Sequence, residues 1–229
     1  MKKKIAVLSG AGISAESGIK TFRDADGLWE GHDIMEVASP EGFARNPELV
    51  LDFYNQRRKQ LLTVAPNAGH KALVSLEELY EVSIITQNVD DLHERAGSSH
   101  IIHLHGELLK ARSTRNEHLI YHWTKDIVLG DRCQENHQLR PHIVWFGEAV
   151  PMITPASKIV SEADIVIIVG TSMQVYPAAG LIEYSTKGTP IYFIDPRPAL
   201  QSNISKNLTV IQAPATEGLP VLVSQLLGN

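Results

Sequence analysis

A single cysteine, Cys133, among 229 residues excludes an intrachain disulfide and gives no sign of an oxidising compartment. Long apolar runs are missing too. After Met1-Lys2-Lys3-Lys4 the apolar stretch at residues 5–8 falls far short of a signal-peptide core, and no run approaches the ~20 residues of a membrane span. Nor is positive charge in excess: Lys and Arg number 21 against 26 Asp and Glu, for a net charge of −5, so no field draws a phosphate backbone and no nucleic-acid partner is expected. Half of a motif is absent as well. SGAGISAESG, residues 9–18, places Gly10, Gly12 and Ala15 at the spacing of a dinucleotide-binding turn, yet no acidic residue closes a second strand about 20 residues later. The chain instead continues IKTFRDADGLWEGHD, with no β-branched run.

What is present is enough for a folded domain. Hydrophobic residues make up 43%, sufficient for one large core, or one core with a smaller module attached. The expectation is a cytoplasmic monomer acting on a small molecule or a protein, with no membrane partner. Short β-branched runs at residues 5–8, 82–86, 101–104, 143–146, 165–169, 191–194 and 208–211 read as buried strands of a mostly parallel sheet. Helical patterns lie between them, one opening at Pro66-Asn67 with Ala72, Leu73, Leu76 and Leu79 on one face, others at residues 178–186 and 217–227. This alternation predicts an α/β, Rossmann-like fold with helices on both faces of the sheet. Residues 31–65, helical without strand, and 107–142, polar and weakly periodic, break the pattern. They are expected to form a smaller domain from two insertions, leaving 1–30, 66–106 and 143–229 to the large one.

Four strand ends carry polar or glycine-rich groups. Gly10 and Gly12 let a pyrophosphate approach the positive end of a helix, although short glycine patterns also mark ordinary turns. Gln87, Asn88 and Asp90 offer donors and acceptors to an amide or to ribose hydroxyls, or cap the helix that follows. His103 and His105 alternate onto one face, where a neutral imidazole serves as a general base or fills a structural place. Gly170-Thr171-Ser172 suits a phosphate or ribose, or an N-cap. On an open α/β sheet all four would share the C-terminal rim, where ligands bind.

Taken in order, GAGISAESGIKTFRDADGLW, TQNVDDLHERAG, HLHGEL, RPHIVWFGEAVP and GTSMQVYPAAGL resemble the motif series of the sirtuins, NAD-dependent protein lysine deacylases, along nearly the whole chain. The resemblance implies that Gly10, Ala11, Gly12 and Ser14 line the NAD phosphates and ribose, with Phe22 and Arg23 in a loop that closes over the cofactor. Gln87, Asn88 and Val89 would border the nicotinamide ribose, Asp90 the carboxamide, and His105 would be the base; Asn88 and Asp90 count with it as catalytic. Gly170, Thr171 and Ser172 would hold the adenosine end, with Ala215 near the adenine. Asp195 stands where the family commonly has Asn, and is a further cofactor candidate. Phe146, Gly147, Glu148, Val175 and Tyr176 would offer backbone edges to an extended acyl-lysine peptide. NAD would be consumed, giving free lysine, nicotinamide and O-acyl-ADP-ribose. Alternatives are a plain deacetylase, a non-catalytic NAD or ADP-ribose sensor, and a dehydrogenase.

Tyr54 and Arg57, at i and i+3 on one predicted helix, could bind a carboxylate, and a YxxR pair in this position resembles sirtuins that remove succinyl and malonyl groups. Most sirtuins also hold a structural zinc with four cysteines, which this chain lacks. His118, His122, Cys133 and His137 form two x3-spaced pairs, a weak substitute set, so a structural zinc is not expected.

Overall fold

The computed structural model describes residues 2–20, 28–29, 31–198 and 207–228. The proposed loop residues Phe22 and Arg23 lie outside them. Six strands form one parallel sheet: β1 (Lys3–Ser9), β4 (Tyr80–Thr86), β5 (Ile101–His103), β9 (Ile165–Val169), β10 (Ile191–Ile194) and β11 (Leu208–Ile211), in the spatial order β11-β10-β9-β1-β4-β5. The order reverses between β1 and β9, which makes that seam the switch point of a doubly wound fold.

Both faces of the sheet are covered, which is why its strands read as unbroken apolar runs. Ile5, Val7, Ile165, Ile167 and Val169 face α5 (Ala68–Ser75) and α8 (Ala215–Leu227). Ala6, Leu8, Val166 and Ile168 face α7 (Ile153–Ser161) and the 3-10 turns of Ala178–Tyr184. Residues 178–186 were expected as an ordinary helix, and the tighter winding is the difference. A similar tightening at Leu76–Glu78 ends α5 early and rotates Leu79 out of its expected core position, to 55% exposure.

A smaller unit sits beside the sheet. Helices α2 (Ile34–Val37), α3 (Pro40–Arg45) and α4 (Pro47–Leu61) pack on an antiparallel sheet of β6 (Gly106–Ser113), β7 (Ile120–His122) and β8 (Leu139–Ile143), in the order β7-β6-β8. Two details depart from expectation. A two-residue hairpin, β2 (Leu28–Trp29) with β3 (His32–Asp33), precedes the helices. The run at 143–146 also joins no parallel sheet: β8 ends at Ile143 and pairs antiparallel with β6, leaving Val144 to Phe146 as a connection. Polar Arg140 and His142 alternate with apolar neighbours there, the pattern of a strand between unlike faces.

Candidate functional site

The four strand ends converge at the switch point. Gly10 N–H donates to the Val169 carbonyl at 3.1 Å, and Gly12 N–H donates to the Gly170 carbonyl at 2.8 Å. The glycines therefore do more than admit a ligand. A Cβ on Gly12 would lie 2.6 Å from Gly170 Cα, and one on Gly10 would lie 2.7 Å from Thr171 Cβ. Gly170 itself has a φ of +63°. Two loops from adjacent strands thus touch backbone to backbone, and Gln87 Nε2 ties in a third by donating to Thr171 Oγ1 at 3.0 Å.

Beneath this floor is a buried polar network. Ser14, fully buried, donates to Asp90 Oδ2 at 3.0 Å and accepts from Asn88 Nδ2 at 3.1 Å. The other Asp90 oxygen accepts from the N–H of Leu92, the first residue of α6 (Leu92–Ala96), at 3.1 Å, although Asp91 and not Asp90 is the N-cap of that helix. Burial raises the Asp90 carboxyl above its ordinary pKa, against the pull of its Leu92 and Ser14 hydrogen bonds.

His103 and His105 have different fates. His105 Nδ1 bonds the Gln87 carbonyl at 3.1 Å; because a carbonyl only accepts, Nδ1 carries the proton and Nε2 is the basic nitrogen. Burial lowers its pKa, with the Gln87 bond acting in the opposite direction. His103 bonds the Asn88 carbonyl through Nδ1 at 3.0 Å and Glu94 Oε1 through Nε2 at 2.7 Å. Burial opposes its charge, but the Glu94 carboxylate outweighs that and raises its pKa. Burial acts on both histidines, and only His103 has a carboxylate partner to oppose it.

These residues border a cavity of about 480 Å³. Gly10, Ala11, Gly12, Gln87, Asn88, Val89, Asp90, His105, Gly170, Thr171, Ser172, Asp195 and Ala215 line it, and Ser14 lies below its wall. Asp195, at the end of β10, accepts from Arg197 N–H at 2.8 Å. An acidic side chain therefore does reach the rim, from 185 positions beyond Gly10 rather than from the next strand. The cavity continues to the edge of the smaller unit, bordered by Tyr54 and Arg57 of α4, by Phe146, Gly147 and Glu148 beyond β8, and by Val175 and Tyr176 from the connection after β9. The Arg57 guanidinium folds back over the Phe53 ring at 3.7 Å and donates to the Phe53 carbonyl at 2.6 Å. The Glu148 carboxylate is turned to Arg140 and Arg112, so only the backbone of that residue is available as an edge.

The candidate metal donors do not assemble. Cys133 is buried with Ala111, Ile127 and Leu139, and its thiol donates to Ser113 Oγ at 3.4 Å. Among the described residues the only group of three or more possible donors is Glu94, His103 and Glu107, which excludes His118, His122 and His137 from any such cluster. A structural zinc does not fit this arrangement.

The Sir2 family profile matches residues 10–177, which includes the glycine turn, the His105 strand end and the Gly170 loop. The chain belongs to the Sir2 family. A Helicobacter pylori relative named NAD-dependent protein deacylase is 59% identical over 225 residues, covering 98% of both chains. Among Sir2 structures, a homologue mutant in complex with ADP-ribose superposes with a TM-score of 0.88 at 38% identity, covering 99% of this chain and 93% of the other. A Sir2 protein bound to acetylated peptide gives 0.80 at 29% identity, covering 99% and 94%.

Two parts of this Sir2 site escaped sequence reasoning. Trp145 borders the cavity and contacts Tyr54, but in the run IVWF it carries only a core signature. His70 and His93 lie behind Ser14 and Ser9, fully buried and with ring centres 5.0 Å apart. The x2 spacing of Asn67 and His70, a capping box at the start of α5, was the available signal for the first.

Proposed function

We propose that this protein removes acyl groups from protein lysines with NAD as cosubstrate, with succinyl and malonyl groups as its preferred acyl chains. The observation that carries the reading is one continuous cavity. It joins the glycine turn of a dinucleotide site, a histidine whose basic nitrogen is Nε2 and whose pKa burial lowers, and a part bordered by Tyr54 and Arg57.

Bound NAD would supply an activated bond between nicotinamide and ribose. The remaining chemistry belongs to the chain. Gly10, Ala11 and Gly12 border the space for phosphates, the Gly10 and Gly12 N–H groups being already bonded to the Val169 and Gly170 carbonyls, while Thr171 and Ser172 offer hydroxyls and Asp195 a carboxylate to the adenosine ribose. Gln87, Asn88 and Val89 border the reacting ribose, and buried Asp90 faces an amide. His105 takes a proton at Nε2 from a hydroxyl of the bound reactants. The main chain of residues 146–148 and 175–176 receives the peptide as an added strand. We take the protein to work as a monomer in the cytoplasm and without nucleic acid, the last supported by its pI near 6.0.

Turnover of matched acetyl and succinyl peptides, followed by nicotinamide release, tests this. Nicotinamide should appear without NADH absorbance. The ratio of kcat/KM between succinyl and acetyl should fall roughly ten- to a hundredfold in Arg57→Met, the loss of one charged hydrogen bond of about 1.5–3 kcal/mol. An unchanged ratio would refute the dicarboxylic preference and leave a plain deacetylase. No nicotinamide release at all would leave an NAD or ADP-ribose sensor.

A further inference from the structure

Gln87, Asn88 and Asp90 lie on a stretch whose main chain is tied down carbonyl by carbonyl. The Thr86 carbonyl accepts from Leu104 N–H at 2.9 Å, and the Val89 carbonyl accepts from Leu108 N–H at 2.8 Å. Between them, the Gln87 and Asn88 carbonyls each meet the Nδ1 of a histidine, His105 at 3.1 Å and His103 at 3.0 Å. These two bonds hold the peptide planes on either side of the Asn88 Cα. Because each plane is rigid, holding both fixes the two backbone dihedrals of Asn88 and hence the direction in which its side chain leaves the main chain. That side chain is buried, borders the cavity and donates to Ser14 Oγ at 3.1 Å. His103 is braced from behind, its Nε2 meeting Glu94 Oε1 at 2.7 Å, and unlike His105 it does not border the cavity.

We infer that His103, braced by Glu94, is a positioning residue for catalysis: its Nδ1–H holds the peptide after Asn88 so that the Asn88 side chain meets the reacting ribose. This rests on the place proposed for Asn88 beside that ribose. A carbonyl can only accept, so the bond exists only while Nδ1 carries a proton. An unbraced imidazole can turn over or keep its proton on Nε2 alone, and a nitrogen lone pair would then face the carbonyl oxygen and push the peptide away. Glu94 counters both failures. It anchors the Nε2 edge so that the ring cannot turn over, and, although burial lowers the pKa of the ring, the Glu94 bond and charge outweigh it and favour a proton on each nitrogen. The benefit is geometric, since a group misplaced by ~1 Å at the reacting atoms can cost ~100-fold in rate.

The test compares His103→Asn with His103→Gln, measuring kcat, the peptide KM and the unfolding temperature of each. The amide of an asparagine overlays the Nδ1 edge of an imidazole and still donates to the Asn88 carbonyl, whereas that of a glutamine overlays the Nε2 edge and reaches Glu94 instead. His103→Gln should lower kcat roughly ten- to a hundredfold with little change in the peptide KM. His103→Asn should keep kcat within about threefold, although each variant gives up one of the two bonds and the two should lose similar stability. Equal kcat losses, or losses that follow the unfolding temperature, would overturn the inference, because a merely structural histidine does not distinguish which edge is kept. Asn88→Ala should lower kcat at least as far as His103→Gln, and the double variant should lose no more than Asn88→Ala alone; additive losses would also overturn the inference. A kcat unmoved by Asn88→Ala would instead remove the placement of Asn88 on which it stands. Should His103→Gln fold poorly, Glu94→Ala, at the partly exposed end of the chain of bonds, should lower kcat in the same sense. Glu94→Gln, whose amide oxygen still accepts from Nε2, should lose less, and equal kcat in these two would count against the inference.

Discussion

His105 and Gln87 are joined by a 3.1 Å bond from the imidazole Nδ1 to a main-chain carbonyl, and that bond determines which nitrogen of the histidine is basic. Burial lowers the pKa of the ring, and the carbonyl only partly restores it. The neutral form thus persists to a pH below the ordinary histidine value of about 6.5. The acid limb of kcat/KM should accordingly lie below that value, with activity rising as pH increases through it. His105→Ala should lower kcat by roughly 10²–10⁴-fold, the usual worth of a positioned base. A limb centred above 7, or a variant with unchanged turnover, would contradict the assignment.

Gly12→Ala should be poorly tolerated for a reason independent of any ligand. The new Cβ would lie 2.6 Å from Gly170 Cα, and backbone cannot move aside as a side chain can. A loss of about 1–3 kcal/mol in denaturant unfolding is expected, together with a raised KM for NAD. Gly180→Ala is the control: its Cβ would meet only the Tyr176 ring at 3.6 Å, so NAD affinity should be unaffected.

The smaller unit is fastened by polar groups. Asn55 donates to the Ile127 carbonyl at 2.9 Å and accepts from Ile127 N–H at 2.9 Å and Arg58 at 2.7 Å, all buried. Asn55→Ala strands those partners and should cost about 2–4 kcal/mol by urea titration. Incubation with strong chelators should leave both stability and turnover unchanged. One equivalent of zinc in the purified protein, lost with activity on chelation, would refute this.

Acid should destabilise the fold through His70 and His93. Burial lowers their pKa values to about 4 and about 3, so between those values and about 6.5 the unfolded chain binds more protons than the folded one. Stability therefore falls as pH drops through that window, by on the order of 3 kcal/mol from His70 alone. His70→Gln, able to keep the capping geometry at the start of α5, should flatten the slope of melting temperature against pH between 6.5 and 4.5. An unaltered slope would rule His70 out as a source of acid sensitivity.

The sequence by itself determined the doubly wound core, because strands buried on both faces must be apolar without alternation and so announce themselves over four or five residues. It also made the candidate strand ends legible, since Gly10, Asn88, His105 and Gly170 each lie within two residues of the end of such a run. The run at 143–146 misled for the same reason: four apolar residues carry no record of which sheet they join, and only the pairing of β8 with β6 decides it. Tertiary structure alone decided the rest. Two histidines spaced i and i+2 look equivalent in sequence, yet Glu94 meets His103 and leaves His105 to the cavity, so a carboxylate raises the pKa of the one while burial lowers that of the other. Asp195 reaches the rim because the order β9-β10 places the end of β10 beside the switch point. Trp145 meets its hydrogen-bond acceptor only because Tyr54, 91 residues away, brings an oxygen to its N–H. Contacts of that separation leave no periodicity in the chain, since each is set by how whole elements pack and not by the residues between them.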